Sequence, residues 1–174
     1  MEHIRKEIFV GGRGAKINII PLGDIHYGST GCAIDRLKEL VEWIRLKPNC
    51  YWLGMGDYVD AIDCLDPRFD PASIDMSRCE DDCQRVELIK NTGLQQFWGI
   101  EKILRPIANK CIGLLEGNHE QSFANHRKVD LMSMFSHHPN WLKVPNLGDV
   151  AFINLMIKRQ RVGGSQSANI FACH

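Results

Sequence analysis

The stretch Gly56-Asp57-Tyr58-Val59-Asp60 decides how the fold of this chain is interpreted. It follows residues 50–55, Cys-Tyr-Trp-Leu-Gly-Met, a short apolar run that predicts a buried strand. An acid directly after a buried strand adds nothing to an apolar core. Open α/β folds instead keep their sites in a crevice at the carboxyl ends of the strands. We therefore predict that Asp57 points its carboxylate into such a crevice.

Two other predicted strands end in the same way. Residues 17–22 run into Gly-Asp-Ile-His at 23–26, and residues 111–115 run into Glu-Gly-Asn-His-Glu at 116–120. Each strand therefore ends at a glycine turn that is followed by Asp, His or Asn. Because carboxylate, imidazole and amide groups are common metal ligands, the sequence predicts a metal site at this edge of the sheet.

Length, charge and hydropathy limit the other functions open to the chain. Its 174 residues suffice for one domain with a core, predicted over 1–174. The chain has 21 Lys and Arg residues and 21 Asp and Glu residues, so its formal net charge is zero. This balance argues against a protein that binds nucleic acid or membranes mainly through its charge, although it does not exclude a local basic patch. The sequence contains neither an apolar run of about eighteen residues nor a secretory leader at its start. Seven cysteines, several within apolar runs, indicate free thiols and a cytoplasmic location.

The hydrophobic pattern predicts strands that alternate with helices. Strands are predicted at 3–10, 15–22, 50–55, 111–115, 149–158 and 168–173, with a turn at 163–165; helices are predicted at 33–46, at 84–104 and around 122–135. Residues 61–83 are rich in Asp, Pro and Cys and predict an irregular excursion with one short helix. Long loops beside a site are often functional. The strand–helix order predicts an α/β fold with a parallel sheet.

The spacing of the polar residues suggests how they could bind metal. Asp24 and His26 are two positions apart, so in an extended segment their side chains face the same way and could hold one ion. Asp57 could reach that ion and a second one, because a carboxylate has two oxygens. Asn118 offers an amide oxygen. Oxygen and nitrogen ligands without thiolate favour Mn, Fe or Zn. Two ions roughly 3.5–4 Å apart can clamp an in-line displacement at phosphorus and generate hydroxide at neutral pH.

Three further residues have roles beside the ligands. His119 is next to Asn118 but points to a different side of the chain, which suits contact with a substrate. Asp60 could accept a hydrogen bond from His119 and fix its tautomer. Glu120 is predicted to cap the following helix, where the helix dipole favours an acid.

In this order, the motifs resemble the D-x-H, G-D-x-x-D and G-N-H-[DE] series of the calcineurin-like metallophosphoesterases. One such motif is a weak signal, whereas three in order at strand ends are specific. The resemblance covers residues 15–120. It implies a four-layer α/β/β/α sandwich, two divalent metal ions and phosphoester hydrolysis in which a metal-bridging hydroxide attacks phosphorus in line.

The resemblance also implies a role for each residue. Asp24 and His26 would hold the first metal, Asp57 would bridge, and Asn118 would hold the second metal. Manganese is the expected metal, with iron or zinc as alternatives.

For catalysis, the resemblance makes His119 the group that protonates the leaving oxygen or steadies the transition state. Asp60 would orient His119.

Two departures from the family pattern matter. The pattern continues with a lone His after a later strand, which His174 matches as a further metal ligand, and then with G-H-x-H, which this sequence lacks. We therefore expect a sandwich that is incomplete at its C-terminal side and lacks two ligand histidines. The family's phosphoprotein phosphatases carry Arg-Gly after G-D-x-x-D, where this chain has Ala61-Ile62. This difference favours a phosphodiesterase or nuclease.

Several interpretations stay open from the sequence. The leading one is a dinuclear metal-dependent phosphoesterase with a phosphodiester substrate, nucleic acid being one candidate. A small-molecule phosphomonoesterase is a second, and a non-catalytic binding relic that lacks two ligands is a third. Cys64, Cys79 and Cys83 could bind zinc, although cysteines one helical turn apart more often pack. The basic residues at 158–161 could meet a phosphate backbone, although solvated basic faces are more common.

Overall fold

Six strands and five α-helices make up the part of the chain that the computed structural model describes, residues 1–12, 14–77, 79–141, 143–159 and 164–174. The strands are β1 (Glu2–Val10), β2 (Asn18–Leu22), β3 (Cys50–Met55), β4 (Cys111–Leu115), β5 (Val150–Arg159) and β6 (Ser165–Cys173). The helices are α1 (Ile34–Leu46), α2 (Asp82–Lys90), α3 (Thr92–Leu104), α4 (Asn118–Arg127) and α5 (Leu131–His137). The six predicted strands are confirmed in position, although β2 is shorter than predicted.

The strands form two sheets of three. One is entirely parallel, in the order β2-β3-β4, and helices provide the crossovers that parallel neighbours require. The other has the order β1-β5-β6, with β1 parallel and β6 antiparallel to β5. The predicted α/β class and its parallel sheet are therefore confirmed.

The parallel sheet lies between two apolar cores. Successive side chains of a strand point to opposite faces, so Trp52 faces the helices while Leu53 faces the second sheet. The helical core includes Leu22, Ile44, Trp52, Phe97, Leu114 and Phe135. The core between the sheets includes Ile8, Leu53, Ile112, Leu115, Ile153 and Ala172. Phe9 and Phe171, on the opposite face of the second sheet, stay exposed. The described residues thus form three layers, and the four-layer sandwich stays a prediction.

Two predicted helices are each divided in the structure. The helix predicted at 84–104 is α2 followed by α3, because the backbone at Asn91 is not helical (φ −122°). The helix predicted around 122–135 is α4 followed by α5. Lys128 ends α4 in the left-handed conformation (φ 57°), and Asp130 begins α5 by accepting a hydrogen bond from the amide of Ser133. Local capping, which hydrophobic periodicity does not report, sets these boundaries.

In its described residues, the predicted excursion at 61–83 is irregular up to α2, apart from a short 3-10 helix at Pro71–Ser73. Of the turn predicted at 163–165, residue 163 lies outside the described residues, and Ser165 begins β6 instead of ending the turn. Within the described ranges, no helix is both long and apolar enough to cross a membrane.

Candidate metal centre

The predicted site residues meet at the carboxyl ends of four strands. Asp24 and His26 follow β2, Asp57 and Asp60 follow β3, and Asn118 and His119 begin α4 directly after β4. His174 comes from the other sheet, directly after β6. Backbone bonds hold the first two turns together, since the amides of Asp24 and Ile25 donate to the carbonyls of Gly56 and Asp57 at 3.1 and 2.9 Å. The structure brings every predicted site residue into one cluster.

Left-handed backbone conformations are concentrated in this cluster. Asp24, His26 and Asp57 have φ angles of 53°, 46° and 51°, and Ala61 has 51°. A residue with a Cβ atom loses about 1–2 kcal/mol in this conformation. Such strain persists only where the surroundings over-determine it, and it clusters at functional sites. The three residues predicted to hold the first ion are thus held in a conformation that the chain would otherwise avoid.

The carboxylate of Glu120 is one cause of this rigidity. Its Oε1 accepts hydrogen bonds from the amides of Tyr58 and Val59 at 2.8 and 3.2 Å. Its Oε2 accepts from the amides of Asp57 and Gly117, both at 3.0 Å. Glu120 is only 1% exposed, and burial raises its pKa while the backbone N–H groups at its oxygens oppose that rise. It caps α4, as the sequence predicts, and it also fixes the loop that carries Asp57, which the sequence does not predict.

The remaining amides of this loop also have acceptors. The amide of Asp60 donates to the carbonyl of Tyr27 at 3.2 Å, and the amide of Ala61 donates to Oε1 of Gln96 at 2.7 Å. Gln96 lies on α3 and is 2% exposed. Every backbone amide from residue 57 to residue 61 therefore donates a hydrogen bond. Sequence reasoning missed Gln96, because a glutamine inside a helical pattern carries no motif that would distinguish it.

Three of the side chains fit a single ion. Nε2 of His26 lies 3.4 Å from Oδ1 of Asp24 and 3.9 Å from Oδ2 of Asp57. Two ligand atoms that bind one ion at right angles, each at about 2.1 Å, lie about 3 Å apart. The observed separations are close to that value, and the donor set suits a divalent metal.

His174 defines a second position for an ion. Its Nδ1 lies 2.7 Å from the carbonyl oxygen of Met55, which can only accept, so Nδ1 carries a hydrogen and donates it. Nε2 in turn faces Oδ1 of Asn118 at 3.0 Å and Oδ2 of Asp57 at 3.4 Å. A neutral imidazole carries a lone pair on Nε2, so this nitrogen and the two oxygens could together hold a divalent cation.

Asp57 belongs to both positions. Its Oδ2 lies 3.9 Å from Nε2 of His26 and 3.4 Å from Nε2 of His174, while its Oδ1 accepts a hydrogen bond from the amide of His119 at 3.0 Å. The residue is 4% exposed. A buried carboxylate oxygen that lies within 4 Å of two imidazole nitrogens could contact an ion at each of them.

His119 and Asp60 contact each other, but through the backbone carbonyl of Asp60 and not, as the sequence predicted, through its carboxylate. Nδ1 of His119 bonds the backbone carbonyl of Asp60, so this nitrogen donates. The carboxylate of Asp60 lies instead 3.7 Å from Nδ1 of His26. Burial raises the pKa of the Asp60 carboxyl, while neighbouring imidazoles and a guanidinium act in the opposite direction. The rings of His26 and His119 meet edge to face, 4.5 Å apart.

The cysteines do not contribute to any such cluster in the described part of the chain. Two groups there consist of three His, Cys, Asp or Glu side chains whose ligand atoms lie within 4.8 Å of one another, namely Asp24, His26 and Asp57, and His26, Asp60 and His119. Neither contains Cys64, Cys79 or Cys83.

Comparison of the chain with family models, with curated proteins and with solved structures finds no match. The choice of a function therefore depends on the residues of the site.

Proposed function

We propose that the protein is a dinuclear metal-dependent phosphoesterase that hydrolyses phosphodiesters. The observation that carries the proposal is the position of Oδ2 of Asp57, 3.9 Å from Nε2 of His26 and 3.4 Å from Nε2 of His174. Asp24 completes the set around His26, and Asn118 completes the set around His174. Two adjacent positions for divalent ions that share one carboxylate are typical of enzymes that displace groups at phosphorus.

The metal ligands, the loop at 57–61 and His119 would have separate roles at this site. Bound divalent ions would neutralise charge on the phosphoryl group and lower the pKa of water. The ligand residues would fix the positions of the ions, and the hydrogen-bonded loop at 57–61 would keep Asp57 in place. His119 would give a proton from Nε2 to the leaving oxygen, because its Nδ1 is already committed to the carbonyl of Asp60.

Access to the site is compatible with a large ester. The side chain of Asp24 is 84% exposed, so the first ion position opens to solvent. A cavity of about 410 Å³ adjoins it, lined by Pro21, Gly23, Asp24, Met55, Cys173 and His174. The preference for a diester rests on the resemblance, since Ala61-Ile62 stands where the phosphoprotein phosphatases of that family have Arg-Gly.

The proposal is tested by metal content and turnover together. The purified protein is stripped with chelator, reloaded with Mn²⁺, and assayed on bis(4-nitrophenyl) phosphate, 4-nitrophenyl phosphate, single-stranded DNA and double-stranded DNA. We expect two Mn²⁺ ions per chain and faster hydrolysis of the diester than of the monoester. A chain that binds no Mn²⁺ and hydrolyses none of the four would refute the proposal.

A further inference from the structure

Two side chains from different helices bind opposite sides of one peptide group in the loop at 57–61. This peptide group joins Asp60 to Ala61. Its carbonyl oxygen accepts a hydrogen bond from Nδ1 of His119, at the start of α4. Its N–H donates to Oε1 of Gln96, on α3, at 2.7 Å. The two side chains therefore set the orientation of this peptide group together.

The backbone conformation of Ala61 shows why the peptide group needs both contacts. Ala61 has a φ angle of 51°, in the left-handed region that a residue with a Cβ atom avoids. The two common types of β-turn differ by a rotation of their central peptide plane, which moves the φ angle of the following residue between left-handed and ordinary values. The same rotation here would relieve Ala61 and turn the Asp60 carbonyl away from His119.

The side chain of Gln96 is itself fixed in one orientation. Only its oxygen can accept from the Ala61 amide, and its Nε2 lies against Gly28, where a Cβ atom would clash with it. Gln96 is 2% exposed, and its Nε2 has no hydrogen-bond partner among the described residues. A buried donor without an acceptor destabilises a fold. The favourable polar contact of Gln96 is therefore the one that its oxygen makes with the loop.

We infer that Gln96 is a positioning residue for His119 and acts through the peptide group between Asp60 and Ala61. Hydrogen bonds in a chain polarise one another, so the bond at the N–H of this group strengthens its carbonyl as an acceptor for Nδ1. The inference rests on the proposed function, in which Nε2 of His119 gives a proton to the leaving oxygen. Without the Gln96 oxygen, the peptide group can rotate and the imidazole loses the acceptor that orients it.

The test compares three variants at two neighbouring positions of α3. Gln96→Met keeps the length of the side chain and removes the oxygen, Gln96→Glu keeps an acceptor oxygen, and Gln95→Met changes an exposed side chain as the matched control. NMR of protein with isotopically labelled histidine, recorded with and without the diamagnetic ion Zn²⁺, measures the Nδ1–H resonance of His119. We expect slow exchange of this hydrogen with water in every protein except Gln96→Met, where the resonance should be lost through exchange.

Turnover of bis(4-nitrophenyl) phosphate by the Mn²⁺-loaded proteins gives a second readout. We expect Gln96→Met to lower kcat by about tenfold with KM and Mn²⁺ content unchanged, a smaller effect than the 10²–10⁴-fold loss of a positioned acid. Gln96→Glu and Gln95→Met should keep kcat. Gln96→Met removes one unpaired donor, Nε2, and leaves another at the Ala61 amide, so the midpoint of thermal unfolding should change little.

The outcomes for this inference and for the proposed function differ. A wild-type protein without a slowly exchanging Nδ1–H at His119 would overturn the inference, whichever variants fold. A Gln96→Met variant that keeps this resonance would overturn it too, even if bis(4-nitrophenyl) phosphate is hydrolysed. So would equal losses in Gln96→Met and Gln96→Glu, because the acceptor oxygen would then not matter. A resonance that depends on Gln96 in a protein without phosphoesterase activity would instead support the contact through Gln96 and refute the proposed function.

Discussion

Nε2 of His174 lies 3.4 Å from Oδ2 of Asp57, although the two residues follow strands of different sheets. Asp57 follows β3 of the parallel sheet, and His174 follows β6 of the mixed sheet. Met55, at the end of β3, accepts the hydrogen bond that orients the imidazole of His174. The candidate centre therefore spans the interface between the sheets, and an ion bound there would join them.

Replacement of Asp57 should remove both ions. In an Asp57→Asn variant the side-chain amide oxygen could still accept the bond from the backbone amide of His119, but the new NH₂ group would face the imidazoles of His26 and His174. We expect the Asp57→Asn protein to fold, to lose Mn²⁺ and to lose hydrolysis, as measured by mass spectrometry of bound metal and by turnover. Asp35→Asn, at an exposed position of α1, is the control. Two retained ions with near wild-type turnover would rule out a bridging role.

His119→Ala should separate metal binding from catalysis. The imidazole donates to the Asp60 carbonyl and belongs to neither the Asp24 nor the His174 ligand set. Removing a positioned acid lowers the rate by about 10²–10⁴-fold. We expect the variant to keep its Mn²⁺, and His137→Ala, at an exposed position of α5, to keep both metal and rate. A metal-free His119→Ala protein would make His119 a ligand instead.

Glu120→Gln should weaken the fold and the site together. An amide presents an NH₂ group where one carboxylate oxygen of Glu120 now accepts two backbone N–H groups. Buried donors left without an acceptor cost about 1–3 kcal/mol, so the free energy of unfolding in urea should fall by that amount. Glu39→Gln, at an exposed position, should change it by less than about 0.5 kcal/mol. Equal effects of the two substitutions would show that the Glu120 carboxylate does not hold the loop.

The hydrogen-bonded pair of Asp66 and Arg68 should make the free energy of unfolding depend on pH in the acidic range. Hydrogen bonds from Arg68 lower the pKa of Asp66 from 3.8 to about 2. Between these values the unfolded chain binds more protons than the folded one, so the contribution is present above about pH 4 and is lost as the pH falls toward 2. Asp66→Asn should lower the free energy of unfolding by about 1–2 kcal/mol at neutral pH, discounted for the half-exposed arginine.

The measurement is the free energy of unfolding in urea of the wild-type and Asp66→Asn proteins at two pH values. The difference between the two proteins should be large at about pH 6 and small at about pH 2.5. Asp82→Asn, which removes an exposed pair with Arg85, is the control and should show little difference at either pH. A difference for Asp66→Asn that does not change with pH would contradict the lowered pKa.

The strands and the positions of their polar ends could be predicted from the sequence. Short apolar runs predict buried strands, so the sequence predicts β2, β3 and β4 and the Gly-Asp or Gly-Asn turn that follows each of them. Parallel pairing then required the carboxyl ends to lie at one edge, which places Asp24, Asp57 and Asn118 together. The divisions at Asn91 and Lys128 were not predicted, because a helix boundary depends on a few backbone angles and caps that periodicity does not record.

By itself, the sequence determined the α/β class, the parallel sheet and the residues of the candidate centre, because each depends on patterns local to a strand and its turn. Only the tertiary structure decided that Glu120 and Gln96 hold the loop at 57–61, and that the Asp60 carbonyl rather than its carboxylate bonds His119. These contacts join residues that are far apart in the chain or depend on a single backbone angle. No spacing rule reports them, and they exist only once the sheets and helices have packed.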